Sequence, residues 1–353
     1  METESLEWNF LSMFTLISFF TTLIVSKIAG KFLGGVLLDK EFNKPQAFHF
    51  QAIPRAGGIV GLASMLIFIF LYNLVFQSFL IDYLILTILL FSLGFIDDVK
   101  INVNPNIRLI FMILLILLFL ITFKIEVNNL DIKFLNLWLQ NSYFKILFIL
   151  LCFLFIINGS NLIDGFNGLL SIHLIIINSI LLAINSQSTD LEINLILISQ
   201  IIILILFTMF NFPRAKMFLG DSGSYLFGGF TALNIIYTNN LNTEISSFFF
   251  SILVFYLFFE VFFSFFRKIY QKKSPVFPDN EHLHMLVFVK ISNVFGQDKG
   301  NYINSIIINL IFSILVLPSV YFADNSLICK YWFFSLIVIY TIIYMRLYRL
   351  TKN

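Results

Sequence analysis

Charged side chains are scarce in this chain. Only 12% of its 353 residues are Asp, Glu, Lys or Arg, about half the usual share for a soluble domain. Hydrophobic residues reach 59% instead, which excludes an ordinary water-soluble fold and points to a polytopic membrane protein. Nor is there an excess of charge of one sign. A net charge of +2 gives no basic field for nucleic acid, so no nucleic-acid partner is expected. With two cysteines, Cys152 in a hydrophobic run and Cys329 in a short polar connection, no disulfide framework is available. A basic start is also missing. The first nine residues carry Glu2, Glu4 and Glu7 and no Lys or Arg, unlike a signal peptide, so the first span is expected to be retained with its N-terminus outside.

What is present is a series of long apolar runs. A bilayer crossing takes roughly 20 apolar residues, and that length predicts eleven spans, near 10–28, 58–76, 79–96, 107–123, 144–161, 168–185, 191–210, 222–239, 246–265, 302–322 and 331–348. With the N-terminus outside, eighteen of the 22 Lys and Arg fall on inner segments, leaving Lys124, Lys133, Lys145 and Lys330 outside. That asymmetry obeys the positive-inside rule and puts the C-terminus in the cytoplasm. The expected fold is an all-α polytopic bundle, one integral-membrane domain over residues 1–353. Between spans four and five, the outer segment alternates apolar and polar residues at Ile125, Val127, Leu130 and Ile132, which predicts a small hairpin.

Ionisable and amide residues cluster where spans end on the inner face. Asp97 and Asp98 stand where the run from Tyr83 to Ile96 stops. Adjacent carboxylates repel and cannot sit in hydrocarbon, so they belong in water, where a cation or proton relieves them. Span five ends in Asn158-Gly159-Ser160-Asn161-Leu162-Ile163-Asp164-Gly165-Phe166-Asn167. If the helix continues there, Asn161, Asp164 and Asn167 share a face. The next inner connection runs from Asn211 through Arg214 and Lys216 to Gly220-Asp221-Ser222-Gly223-Ser224. A carboxylate beside Gly and Ser at a helix start suits a hard cation, with N–H groups and hydroxyls for phosphate oxygens, and makes Asp221 the first choice of metal ligand.

The first inner loop holds Lys44, His49 and Arg55, the last followed by Ala56-Gly57-Gly58, whose N–H groups would favour an anion at the start of span two. The last inner loop, Lys268 to Asn301, holds His282-Leu283-His284. Histidines two apart project together only from a loop or strand. They lack the further ligands of a zinc site but suit contacts to a diphosphate. His173 reads as a structural histidine. Glu260, seven residues before Arg267 and so on the same helical face, needs a partner at its depth in span nine and reads as a structural ion-pair or hydrogen-bonding residue. Four aspartates balanced by Lys, Arg and His describe a site for magnesium and a phosphorylated substrate, and hence phosphoryl transfer at a membrane surface.

Asp97-Asp98, Asn161-x-x-Asp164-Gly165, Gly220-Asp221-Ser222-Gly223-Ser224 and His282-x-His284, in this order on the inner loops, resemble the polyprenyl-phosphate N-acetylhexosamine-1-phosphate transferases, a family that includes the phospho-N-acetylmuramoyl-pentapeptide transferases. The resemblance spans nearly the whole chain. It implies transfer of a HexNAc-1-phosphate from a UDP-N-acetylhexosamine to undecaprenyl phosphate, with release of UMP, at the cytoplasmic face of a bacterial inner membrane. Mg2+ is the implied cofactor, with Mn2+ able to replace it. By similarity Asp221 binds the metal, Asp97 and Asp98 serve the lipid phosphate as catalytic residues, Asn161 and Asp164 take the nucleotide end, and His282 and His284 the diphosphate. Lys44, His49, Arg55 and Asn211 complete the expected substrate contacts. The Pro54-Arg55-x-Gly57-Gly58 segment resembles the O-antigen and teichoic-acid initiating branches, which start a lipid-linked surface polysaccharide. Two positions depart from the pattern: Asn167 stands where many relatives have Asp, and Met285 where a third His is common.

A phosphate monoester has its second pKa near 6, so the lipid phosphate is mostly dianionic at neutral pH, and an anionic leaflet at about −30 mV raises that value only slightly. Direct attack of the lipid phosphate on the β-phosphorus follows, with Asp98 or Asp97 orienting it or taking any residual proton; a covalent aspartyl-phosphate is the alternative. The reading from a different class is a transporter or flippase of a lipid-linked or anionic solute. Transporters bind near the midplane, often between inverted repeats, whereas these clusters lie at span ends and no internal repeat is visible. The sequence leaves open whether the protein forms a homodimer.

Overall fold

The computed structural model describes residues 2–40, 51–101, 103–186, 190–275, 277 and 279–352. Lys44 and His49 lie outside the described residues. Fourteen α-helices are described: α1 (Glu2–Ile28), α2 (Gly57–Phe76), α3 (Ile81–Asp98), α4 (Pro105–Phe123), α5 (Lys133–Leu139), α6 (Ser142–Ile163), α7 (Leu169–Asn185), α8 (Leu191–Asn211), α9 (Gly220–Leu241), α10 (Ser247–Leu253), α11 (Phe255–Tyr270), α12 (Leu283–Phe295), α13 (Gln297–Val316) and α14 (Ser326–Lys352). The described strands are β1 (Leu38–Asp39) and β2 (Ile53–Pro54), paired antiparallel with Leu38 opposite Pro54.

Helix α9 is the axis of the bundle. It packs against α3, α6, α2, α7, α8 and α10, and most of its residues from Gly220 to Thr238 are buried. A helix enclosed by other helices meets no lipid, so its sequence is free to carry Gly, Ser, Thr and Asn. The apolar load sits on the outer helices instead, where Phe70, Leu118, Leu310 and Ile342 are exposed.

Among the described residues, seven helices are long and apolar enough to cross a membrane, and an eighth crossing results if α10 and α11 count as one span. The other three expected spans coincide with α3, α7 and α9. Each is a helix that falls short of that measure for a local reason: α3 carries Asp82, Asp97 and Asp98, α7 has 17 residues, and α9 is polar because it is interior. The orientation of the termini rests on the Lys and Arg distribution.

Three expectations need correcting. The outer segment after α4 forms no hairpin; it runs extended into α5, whose capping carbonyl comes from Ile132. Span nine is broken, α10 and α11 meeting at a 74° bend at Val254. The last inner loop is largely helical, since α12 begins at Leu283 and α13 at Gln297. Cys152 and Cys329 are both free thiols.

Candidate active site

The end of α3 is joined to the start of α9 by one carboxylate. The first N–H groups of a helix have no partner within it. Here they are taken by Asp98, whose Oδ1 accepts from the Asp221 N–H at 2.9 Å and whose Oδ2 accepts from the Ser222 N–H at 2.9 Å and the Ser222 hydroxyl at 2.5 Å. Two glycines make room. Gly220 adopts φ +79°, and a Cβ there would meet the Asp98 carboxylate; a Cβ on Gly94, one turn before Asp98, would strike the backbone of Asp221 and Ser222. Asp98 is wholly buried. Burial, then the Asp221 charge, pushes its carboxyl up to about 7, against the pull of the Ser222 donors and Arg55.

Around this joint lies a half-open patch of charge. Arg108, in the first turn of α4, donates through Nη1 to Asp97 Oδ2 and, at 3.1 Å, to Asp221 Oδ2. Its position is set by Asn104, which caps α4 by accepting from the Asn106 N–H at 3.0 Å, and by Pro105 at the helix start. From the last turn of α6, Asn161 Nδ2 donates to Asp221 Oδ1 at 3.0 Å and to Ser224 Oγ at 3.1 Å. Arg55 follows β2; it pairs with Asp39 at 2.7 Å and reaches within 4.0 Å of Asp98 Oδ1. Asp97, Asp221 and Arg108 keep 14%, 22% and 27% of their side-chain surface exposed, so ligand can reach them. Asp164 ends α6 and makes no hydrogen bond among the described residues; burial and the charges of Asp221 and Asp98 hold its carboxyl well above the usual range.

A second cluster sits where α12 begins. His282 Nδ1 lies 3.0 Å from Glu260 Oε1 and its Nε2 3.2 Å from Asp279 Oδ1. Glu260 also accepts from the Leu283 N–H at 3.2 Å and the Tyr340 hydroxyl at 2.6 Å. His284 Nδ1 lies 3.2 Å from the Tyr256 hydroxyl, and its ring meets that of Phe166, two residues past Asp164, edge-on at 5.8 Å. Burial pushes the His284 imidazole down to about 3, which keeps it neutral and leaves hydrogen bonding as its means of contact.

The structure thus gathers Asp97, Asp98, Asn161, Asp221 and Arg55 into one contact network, and places Asp164 beside it. The two histidines do project together, but from a helix start, with His282 extended just ahead of it. Glu260 has the partners it needed, in His282 and Tyr340 rather than Arg267, which pairs with Asp279 and Glu281. His173 is structural, as expected, bonded to Asn309 at 3.1 Å. Asn211 is a loop bracket: it accepts from the Gly168 N–H at 2.6 Å and donates to the Met217 carbonyl at 2.9 Å. The Gly57 and Gly58 N–H groups do not face an anion, because they donate to the carbonyls of Phe218 and Leu219. Likewise α6 ends at Ile163, so Asn167 leaves the Asn161 face and bonds the Pro213 carbonyl. Arg108 is absent from the expected site residues; its place in the first turn after an Asn-Pro cap, close behind an Asp pair, is the signal that marks it.

Among the described residues, no group of three or more His, Cys, Asp or Glu side chains is placed to hold a metal ion. The donor set nevertheless fits one kind of ion. A guanidinium nitrogen already bridges Asp97 and Asp221, so the gap between these carboxylates accepts a cation. Mg2+ is commonly bound by just one or two carboxylates, with water and substrate phosphates filling the remaining positions.

Residues 80–239, which contain Asp97, Asp98, Arg108, Asn161, Asp164 and Asp221, match the model of glycosyl transferase family 4. The chain is 27% identical over 314 residues, 87% of its own length and 89% of the relative's, to an undecaprenyl-phosphate alpha-N-acetylglucosaminyl 1-phosphate transferase of Thermotoga maritima. It is 31% identical over 240 residues, 65% of its own length and 75% of the relative's, to a phospho-N-acetylmuramoyl-pentapeptide-transferase of Dictyoglomus turgidum. The patch that joins α3, α4, α6 and α9 therefore lies within the residues that match the family model, and the chain belongs to glycosyl transferase family 4.

Proposed function

We propose that this protein transfers a HexNAc-1-phosphate from a UDP-N-acetylhexosamine to undecaprenyl phosphate at the cytoplasmic face of a bacterial inner membrane, releasing UMP and starting a lipid-linked surface polysaccharide. The observation that carries this reading is the Asp97–Arg108–Asp221 bridge. Two carboxylates meeting on one cation at a half-open surface are suited to an anionic substrate, and an arginine beside them supplies phosphate-binding donors. Asp221 and Asp97 are the residues that would hold Mg2+, or Mn2+ in its place. Bound there, the ion would neutralise charge on the phosphate oxygens.

The chain's own residues supply the remaining parts. Asp98 fixes the start of α9 and so the direction of Asp221. Asn161 holds the other Asp221 oxygen. Asp97, the more exposed member of the acidic pair, is the better placed to orient the lipid phosphate for direct attack. Asp164, with no hydrogen bond of its own, is free for a donor group of the nucleotide end. His284 offers a ring nitrogen to the diphosphate. On α11, Phe262, Phe265 and Phe266 are exposed, an apolar surface suited to a prenyl chain. A hexosamine without a peptide is favoured over the pentapeptide donor because the likeness to the Thermotoga maritima relative runs over more of both chains. An O-antigen, capsule or teichoic-acid type of polymer is favoured by the Pro54-Arg55-x-Gly57-Gly58 segment.

The test is UMP release by the purified chain given undecaprenyl phosphate, Mg2+ and a panel of UDP-HexNAc donors, with Asp221→Asn beside it. Release that requires lipid and metal and disappears in the variant supports the transferase and identifies the sugar. Absence of release from every donor by folded protein overturns the reading for those donors.

A further inference from the structure

Tyr256 and Glu260 stand one turn apart on α11, and each faces the Nδ1 edge of one histidine, His284 and His282 respectively. The two imidazoles stack with centroids 5.6 Å apart and planes within 3° of parallel. Their far edges differ. His282 Nε2 meets Asp279, whereas His284 Nε2 is buried without a hydrogen-bond partner among the described residues. Of the two stacked rings, His284 therefore has the open nitrogen, and it lies beside Phe166 in the loop that carries Asp164.

The hydrogen-bond inventory fixes which proton that nitrogen carries. The Tyr256 hydroxyl is buried, and the one acceptor it meets among the described residues is the His284 ring. Either tautomer leaves one buried hydrogen without an acceptor, the Tyr256 O–H or the His284 Nε2–H, at about 1–3 kcal/mol, so the shared bond decides: a phenol is a better donor than a neutral imidazole N–H, and an imidazole nitrogen a better acceptor than a phenol oxygen. The phenol therefore donates to Nδ1, and the single proton of the neutral ring sits on Nε2. A buried N–H with no acceptor carries the same cost, which an arriving anionic oxygen removes.

We propose that Tyr256 is a positioning residue: it holds His284 as the Nε2–H tautomer, so that His284 presents a neutral donor to an oxygen of a phosphorylated ligand. The identity of that ligand rests on the transferase reading, but the tautomer does not. This arrangement gives the two histidines separate duties. His282, enclosed by Glu260 and Asp279, ties α11 to the start of α12; His284, mounted on the same pair of helices, is left free at one end.

The experiment uses the full chain in lipid nanodiscs with 15N-labelled histidine. There are four histidines, and His284→Gln identifies the His284 signal by its loss. The ring-nitrogen shifts are expected to show the proton on Nε2 in the wild type and a shift of population toward Nδ1–H in Tyr256→Phe. In the UMP-release assay, Tyr256→Phe is expected to raise the KM for the UDP-sugar about tenfold, the equivalent of one weakened hydrogen bond, with kcat changed far less. In the His284→Gln background, whose amide keeps a donor whatever occupies position 256, the same substitution is expected to add nothing.

An Nδ1–H signal in the wild type overturns the proposal, and this arm needs no variant beyond the assignment. So does an unchanged His284 signature in Tyr256→Phe, or an equal loss of activity from Tyr256→Phe in both backgrounds, which would make Tyr256 merely structural. If no donor yields UMP, the transferase reading fails while the nitrogen shifts still decide the tautomer.

Discussion

The two ends of α9 are both polar, and they are built in opposite ways. At the C-terminal end, expected from the Lys and Arg distribution to be the outer one, a buried lattice of hydrogen bonds joins neutral partners. The Tyr83 hydroxyl donates to Asn234 Oδ1 at 2.7 Å, Asn234 Nδ2 donates to Gln200 Oε1 at 2.8 Å, Asn185 Nδ2 donates to Thr238 Oγ1 at 2.8 Å, and Asn242 Nδ2 donates to Asn185 Oδ1 at 2.9 Å. These side chains come from α3, α7, α8, α9 and the residue after α9, and all of them are buried. At the inner end the partners are charged, two of the carboxylates are reachable, and Asp164 has no hydrogen bond among the described residues. A lattice of neutral amides and hydroxyls holds helices together in lipid. Carboxylates held by a single arginine are ready to exchange that cation for another. The difference separates a scaffold from a site on one helix.

The comparison breaks most sharply at Asp221. Asp221→Asn keeps the size of the side chain and its contact with Asn161 but removes the charge shared with Arg108. UMP release is expected to fall by about 10²–10³-fold, the usual loss when a charge-stabilising group is removed, with the unfolding midpoint nearly unchanged. Loss of fold together with activity would mean that the inner end is scaffold as well. Next comes Asp98→Asn. An amide offers one oxygen where Asp98 uses two, so one of the α9 N–H donors or the Ser222 hydroxyl loses its acceptor, at about 1–3 kcal/mol. Stability and activity are expected to fall together, since Asp98 acts by aiming Asp221. An activity loss at full stability would instead give Asp98 a direct part in the chemistry. Arg108→Lys is expected to cost less, about tenfold in activity, because a single ammonium keeps the charge but not the two-sided reach of a guanidinium. An unchanged rate would show that the bridge plays no part in turnover.

How far these features were legible in the sequence follows from the same division. Asp97, Asp98, Asp164 and Asp221 stood out because charge at the end of an apolar run is costly unless used. Arg108 did not, because an arginine behind a span end is what the positive-inside rule already expects. The outer lattice was invisible for a related reason: Asn185, Asn234 and Gln200 lie on separate spans, and single amides in apolar runs carry no spacing signal until folding brings them together. Asn211 misled in the other direction. It sits in the most motif-rich connection of the chain, yet its amide is spent on Gly168 and Met217. The bend at Val254 was hidden too, since neither proline nor glycine marks it within the run Ile252-Leu253-Val254-Phe255-Tyr256-Leu257.

The outer end supplies the smaller effects and the control. Asn234→Leu removes the acceptor of Tyr83 and the donor to Gln200 while filling similar space. Interhelical hydrogen bonds in membranes average about 0.6 kcal/mol and reach about 1.7, so a loss of roughly 1–2 kcal/mol is expected, read as a lower unfolding midpoint in detergent. UMP release per folded molecule is expected to stay at the wild-type value, because no inner-end contact runs through Asn234. The smallest effect belongs to Asp82→Asn. Asp82 Oδ2 accepts from the Tyr237 hydroxyl at 2.5 Å and its Oδ1 from the Tyr83 N–H at 2.9 Å; an asparagine keeps its oxygen for the Tyr83 N–H and offers its own N–H to the phenol oxygen, whose half-buried O–H turns to water instead. The substitution also removes one carboxylate near Glu192, so the lost charge-assisted bond is offset by relieved repulsion. Stability and activity are both expected to stay within error of the wild type. A large loss of activity with the fold intact would mean that the outer end of α9 communicates with the inner one, and that the helix carries one extended site instead of a site mounted on a scaffold.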